Sequence, residues 1–189
     1  MPNLKTSQND AISLRCRIER WPIAGSFRIS RGAKTEAVVV VAEISRSGRS
    51  GRGECVPYAR YGETPEGVLA SLLAMQEPLA AGLDRQSLAS IMPAGAARNA
   101  LDCALCDLEA KCSGRRIWTL LDRPAPAPRS TAYTISLGSP EAMAAATAKA
   151  ARRPLLKVKL GGDGDAERIA AVRKQAPESE LIVDANEAW

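Results

Sequence analysis

The chain has 189 residues, of which 46% are hydrophobic and 25% charged, with a formal net charge of +5. This is an ordinary composition for a soluble protein, and it can bury a core as one large domain or two small ones. It holds no histidine, which removes His-based triads, His general bases and most zinc sites from these residues.

The amino terminus, "MPNLKTSQND", has no apolar core of a leader, and the longest aliphatic run is "AVVVVA" (37–42). The expectation is a cytoplasmic chain with neither signal peptide nor membrane span. Five cysteines, an odd count, fit reduced thiols. The densest basic stretch, "RSGRSGR" (46–52), lacks interleaved aromatic residues and reads as a solvated hairpin loop, so no nucleic-acid partner is expected.

Residues 12–55 read as β-rich. "AISLRCRIERW" alternates apolar and polar residues, "SFRISRG" is a short strand ending in a turn, and "TEAVVVVAEI" leads through "SRSGRSG" into "RGECV" as a hairpin. Residues 64–80 predict a helix capped by Thr64 with Pro65 in its first turn. Residues 94–112 predict another, with Leu101, Leu105, Leu108 and Cys112 on one face. The CxxC spacing at Cys103 and Cys106 falls inside that helical pattern without a second pair, and reads as small buried residues. Prolines 124, 126 and 128 mark the boundary between a domain over 1–128 and another over 129–189.

Beyond the boundary the pattern becomes strand ("TAYTISL"), helix ("SPEAMAAATAKAARR"), strand ("PLLKVKL"), helix ("DAERIAAVRKQA") and strand ("ELIVDA"). Such alternation predicts parallel strands with right-handed crossovers. The series stops at Trp189, and the expectation is an α/β domain cut off partway.

Lys157 and Lys159 share one face of their strand, and Leu156, Val158 and Leu160 the other. Two readings stand open: an edge strand protected by solvated lysines, or a strand of a closed barrel with its lysines aimed at the mouth. Asp184, one strand-helix repeat later at the end of "LIVD", favours a mixed-charge site, and Asn186 follows two positions on. A carboxylate there can hold a hard cation such as Mg²⁺, and lysines beside it can serve as acid or base. "LGGDGDAER" (160–168) is glycine-rich but lacks the lysine and hydroxyl of a phosphate loop, and Asp163 and Asp165 would repel phosphate.

Taken in order, "RISRG", "GRGECVPYARYGET", "ALDCALCDLEAK", "YTISLGSPEAM", "KVKLGG" and "IVDANEAW" resemble the enolase superfamily. Within it they are most similar to the muconate-lactonizing subgroup and its dipeptide epimerases of the L-Ala-D/L-Glu type. The resemblance implies an α+β capping domain followed by the first part of a parallel (β/α) TIM-like barrel. It also implies an Mg²⁺-dependent isomerase that moves a proton at the carbon α to a carboxylate, through an enolate. Carried over, Lys159 is the acid/base lysine, Lys157 holds and polarises the substrate carboxylate, Asp184 is the first metal ligand, and Asn186 supports it. Thr134 would contact the dipeptide, while Arg31, Lys34, Arg60 and Tyr61 would lie in loops that close over it. Two further acidic ligands and an opposing lysine are expected on later strands, so the 189-residue chain alone is expected to be inactive. The alternatives are a muconate cycloisomerase or o-succinylbenzoate synthase-like enzyme, or a non-catalytic truncated remnant. The partner implied is a small-molecule dipeptide, and self-association into a homo-oligomer is compatible with the family.

Overall fold

The computed structural model describes residues 11–29 and 32–189. The chain divides into two compact units. One holds the residues up to Trp21 together with Ala37–Pro126, the other Pro22–Glu36 together with Ala127–Trp189. Among the described residues, no helix is long and apolar enough to cross a membrane.

In the first unit, β1 (Ser13–Ile29), β2 (Gly32–Arg46) and β3 (Arg49–Cys55) form a sheet in that order, and β1 and β2 extend from it into the second unit. β2 and β3 pair antiparallel from Val40 opposite Cys55 to Arg46 opposite Arg49. Only Ser47 and Gly48 connect them, both at positive φ (50° and 74°). That geometry matches the twist of the strands it joins, which is why a glycine stands in the turn. Val40, Ala42, Ile44 and Cys55 turn to the covered face of the sheet and join one apolar core.

Helices α1 (Pro65–Leu73), α2 (Gln76–Ala80), α3 (Arg85–Ile91) and α4 (Ala96–Ser113) supply the rest of that core, through Leu72, Leu79, Leu88, Leu101 and Leu108 among others. A further short helix, α5 (Ile117–Leu120), follows. The Thr64 hydroxyl accepts a bond from the Gly67 N–H at 3.0 Å, and the Asp84 carboxylate one from Ser87 at 2.8 Å, so α1 and α3 begin at residues suited to capping. The helix expected over 64–80 is two helices. Pro78 lacks the N–H that a continuous helix would donate, and its ring disfavours the turn before it.

α4 lies on β3 because β3 has almost no side chains on that face. A Cβ added at Gly53 would collide with the Ala100 carbonyl and the Ala104 amide, and one at Gly51 with the Ala104 carbonyl and Leu108. Ala100 and Ala104, both fully buried, complete this small-residue contact. Backbone cannot retreat as a flexible side chain can, so we predict that Gly53→Ala costs about 3 kcal/mol of stability by overpacking. Urea denaturation monitored by circular dichroism measures it, and a loss below about 1 kcal/mol would show that α4 shifts freely.

The second unit contains β4 (Tyr133–Ile135), α6 (Pro140–Ala150), β5 (Leu155–Lys159), α7 (Asp165–Gln175) and β6 (Glu180–Asp184). The three strands are parallel in the order β4-β5-β6. Ile135, Leu156, Val158 and Leu160 pack with Met143 and Ala150 of α6, Val172 of α7 and Ala176. β5 is therefore the central strand, and the edge-strand reading of its lysines does not hold here. Edge strand β6 leaves Ile182 and Val183 exposed.

Candidate active site at the carboxyl ends of β5 and β6

Strand parity sends Leu156, Val158 and Leu160 into the helix-covered core and turns Lys157 and Lys159 to the opposite face. Lys157 stands between Thr134 of β4 and Ile182 of β6, and Lys159 lies directly opposite Asp184. Parallel pairing thus brings together residues that are 25 apart in the chain.

Both ammonium groups converge on one oxygen. Lys157 Nζ and Lys159 Nζ each lie 2.8 Å from Asp184 Oδ2. Lys159 Nζ also donates to Asn186 Oδ1 at 3.0 Å and sits 5.6 Å from the centroid of the Phe27 ring. The Asn186 N–H donates to the other carboxylate oxygen, Oδ1, at 3.0 Å. Asn186 has φ of 50°, a left-handed conformation that asparagine tolerates better than most residues. Lys159 is 5% exposed, whereas Lys157 keeps 35% of its side chain in solvent. The Lys157 bond, then those of Lys159 and the Asn186 amide, hold the Asp184 carboxyl well below the usual carboxylate range. Two cations on one anion leave an excess of positive charge, suited to an anionic ligand.

The glycine-rich loop after β5 is filled from within. The Asp165 carboxylate accepts from the Gly161 N–H at 3.0 Å and the Gly162 N–H at 2.8 Å. Burial raises its pKa, but the bonds from Gly161, the Trp189 indole, Gly162 and Arg168 outweigh it and lower the value from 3.8 to about 2. These amides hold a carboxylate of the chain itself, where a phosphate loop would hold its ligand.

The expected substrate-binding residues are distributed over both units. Thr134 neighbours Lys157 in register. Lys34 is exposed on β2. Arg31 lies outside the described residues. Arg60 and Tyr61 belong to the first unit, in a single 3-10 turn where Tyr61 is exposed and its ring lies 5.6 Å from that of Tyr58 at a tilt of 55°. The Glu63 carboxylate accepts from the Tyr58 and Ala96 N–H groups and so fixes this turn to the start of α4. Phe27, Glu63, Asp165 and Arg168 were not singled out as site residues from sequence. Phe27 carried one signal, as the only phenylalanine of the chain.

Asp184 and Asn186 offer hard oxygen donors of the kind Mg²⁺ prefers. Among the described residues, however, no group of three or more His, Cys, Asp or Glu side chains converges. The donor chemistry fits a hard cation, but these residues do not make a complete cation site.

Residues 11–122 match the mandelate racemase/muconate lactonizing enzyme N-terminal domain, and the chain belongs to that family, within the enolase superfamily. It is 46% identical to the L-Ala-D/L-Glu epimerase of Escherichia coli, over 90% of this chain and 54% of that protein. A solved enolase-family member from Agrobacterium tumefaciens, described as homologous to dipeptide epimerases and holding sodium and L-Ala-L-Glu, matches with TM-score 0.89 and 55% identity. That match covers 94% of this chain and 55% of that one. The dipeptide epimerase of Cytophaga hutchinsonii, solved with Mg and D-Ala-L-Val, matches with TM-score 0.83 and 28% identity, over 95% and 53%. The chain spans about half the length of these relatives.

Two predictions follow from the geometry. Asp184→Ala leaves the buried Lys159 without its anion and should cost about 2 kcal/mol, discounted from a fully buried pair because Asp184 is partly solvated. Adding Lys159→Met should recover part of that loss in urea denaturation, and a double variant no more stable than the single one would refute the pairing. Asp165, whose folded-state pKa lies below 3.8, adds stability above about pH 4 and loses it as pH falls through about 2. Between those values the wild type should lose more stability than Asp165→Asn, measured by urea midpoints at each pH, and parallel losses would contradict it.

Proposed function

We propose that this chain carries the lysine wall of a dipeptide epimerase of the L-Ala-D/L-Glu type, and that the complete enzyme performs a 1,1-proton transfer at the carbon α to a carboxylate. The observation that carries the reading is the convergence of Lys157 and Lys159 on Asp184 at the carboxyl ends of adjacent parallel strands. That is where enzymes built on parallel β/α units place their chemistry.

Lys159, the more buried lysine, is the proton carrier in this reading. Its ammonium is held at a defined point by Asp184, Asn186 and the Phe27 ring, so little orientation remains to be frozen during reaction. Lys157, paired with Asp184 but in contact with solvent and beside Thr134, would hold the substrate carboxylate and offset the charge of an enolate. Asp184, supported by Asn186, would be one oxygen ligand of Mg²⁺, which would supply positive charge beside the same carboxylate. The remaining ligands and an opposing lysine would come from outside the described residues. Lys34, in the same unit as the lysines, would contribute to specificity for the second residue of the dipeptide. A cytoplasmic enzyme, as monomer or homo-oligomer, fits this chemistry.

Alone, the 189-residue chain should show no epimerisation of L-Ala-L-Glu. Joined to the remaining segment of the Escherichia coli relative, it should exchange the α-proton in D₂O with Mg²⁺ present, as followed by proton NMR. Lys159→Ala in that chimera should lower exchange by roughly a thousandfold or more, as loss of a general base together with its positioning does. Turnover of a muconate or cyclohexadiene acid without dipeptide exchange would move the assignment to a cycloisomerase or o-succinylbenzoate synthase-like enzyme.

A further inference from the structure

We propose that Asp165 is a positioning residue for the lysine site, which with Arg168 ties the three strand-end loops into one frame and keeps Lys159 seated on Asp184. This inference rests on the functional reading above only for its purpose, since the frame itself is a matter of geometry.

Each of the three parallel strands of the second unit ends in a loop on the same edge of the sheet. The Asp165 carboxylate reaches back from the first turn of α7 to the Gly161 and Gly162 amides in the loop after β5. The same carboxylate accepts from the Trp189 indole N–H at 3.1 Å, which belongs to the segment after β6. Arg168 Nη1 donates to Asp165 Oδ1 at 2.8 Å and to the Asp163 carbonyl at 2.6 Å. Its Nε donates to the Gly138 carbonyl at 3.0 Å, in the loop after β4. One carboxylate and one guanidinium thus hold all three loops.

The frame is close to the reacting groups along the chain. Gly161 is two residues beyond Lys159, and Trp189 is five beyond Asp184. The Leu160 N–H donates to the Asp184 carbonyl at 3.0 Å, so the path from Asp165 to the ion pair runs through directly bonded backbone. Packing adds to it, because a Cβ at Gly161 would press on Leu137 of the β4 loop. Asp165 and Arg168 are mostly buried, with 12% and 21% of their side chains exposed, which spares their pairing most of the screening felt at a surface. Cutting the frame frees the loops beyond β5 and β6 to open separately, and Lys159 loses its enclosure.

The test is the accessibility of the Lys159 amine in the 189-residue chain, by competitive acetylation with acetic anhydride and peptide mass spectrometry. Lys149, exposed on α6, and Lys111, on α4 of the other unit, are internal references. In the wild type Lys159 should label far more slowly than either. Local opening should raise its labelling about fivefold in Asp165→Ala, with Lys149 and Lys111 unchanged. A rise of less than about twofold in the folded variant overturns the proposal, as does an equal rise at every lysine. Should Asp165→Ala fail to fold, Arg168→Lys is read against the same thresholds, since lysine cannot bridge Asp165 and Gly138 at once. A purely structural role would lower thermal stability without singling out Lys159. Absence of dipeptide exchange in the longer enzyme would overturn the functional reading and leave this result standing.

Discussion

The site depends on the register of one strand pair. Lys159 meets Asp184 because β5 and β6 pair in parallel with those two residues directly opposite. A slip of one residue would turn Asp184 toward the helices and present Val183 to the lysines. What prevents the slip is the other face, where Leu156, Val158 and Leu160 are fully buried against α6 and α7. The hydrophobic core therefore sets the geometry of the charges. The ion pair in turn penalises any register that would leave an ammonium as buried as that of Lys159 without an anion.

Much of this was legible in the sequence, for reasons that can be stated residue by residue. The alternation of apolar and charged positions in "LLKVKL" assigns the faces of β5 with no knowledge of its neighbours. The spacing from Lys159 to Asp184 equals one strand-helix repeat, so a parallel sheet sets them side by side. Periodicity is a local property, and it survives in a single chain. Capping is local too, and Thr64 accepts the bond expected of it at the start of α1.

What was not legible depends on partners distant in sequence. Gly51 and Gly53 read as hairpin glycines, yet their role is to admit the backbone of α4, some fifty residues later. Phe27 lies in a strand of the amino-terminal half, and nothing local shows that its ring meets Lys159. Asp165 was read as a charge that would repel phosphate from the glycine-rich loop. The electrostatics of that reading hold, but the carboxylate does more than exclude an anion, since it occupies the anion's place. Pro78 is a different case: the signal that divides α1 from α2 is local, and apolar spacing across 64–80 masked it.

The two arginines of α7 show how the second unit divides its work between its ends. Arg173 stands in the last turn, where a positive charge complements the helix dipole, and it donates to the carbonyls of Ala176, Pro177 and Ser179. Ser179 continues that lock by donating to the Arg153 carbonyl, at the amino-terminal edge of the sheet, where no candidate reacting group lies. Arg168 stands in the opposite situation. It is near the start of α7, where the dipole disfavours a cation. Its position is accounted for by what it touches: Asp165, whose negative charge suits that end of the helix, and the carbonyls of the two loops that border the lysine site. The contacts of Arg168 thus lie at the carboxyl edge beside the lysine site, whereas those of Arg173 lock the opposite end of the helix.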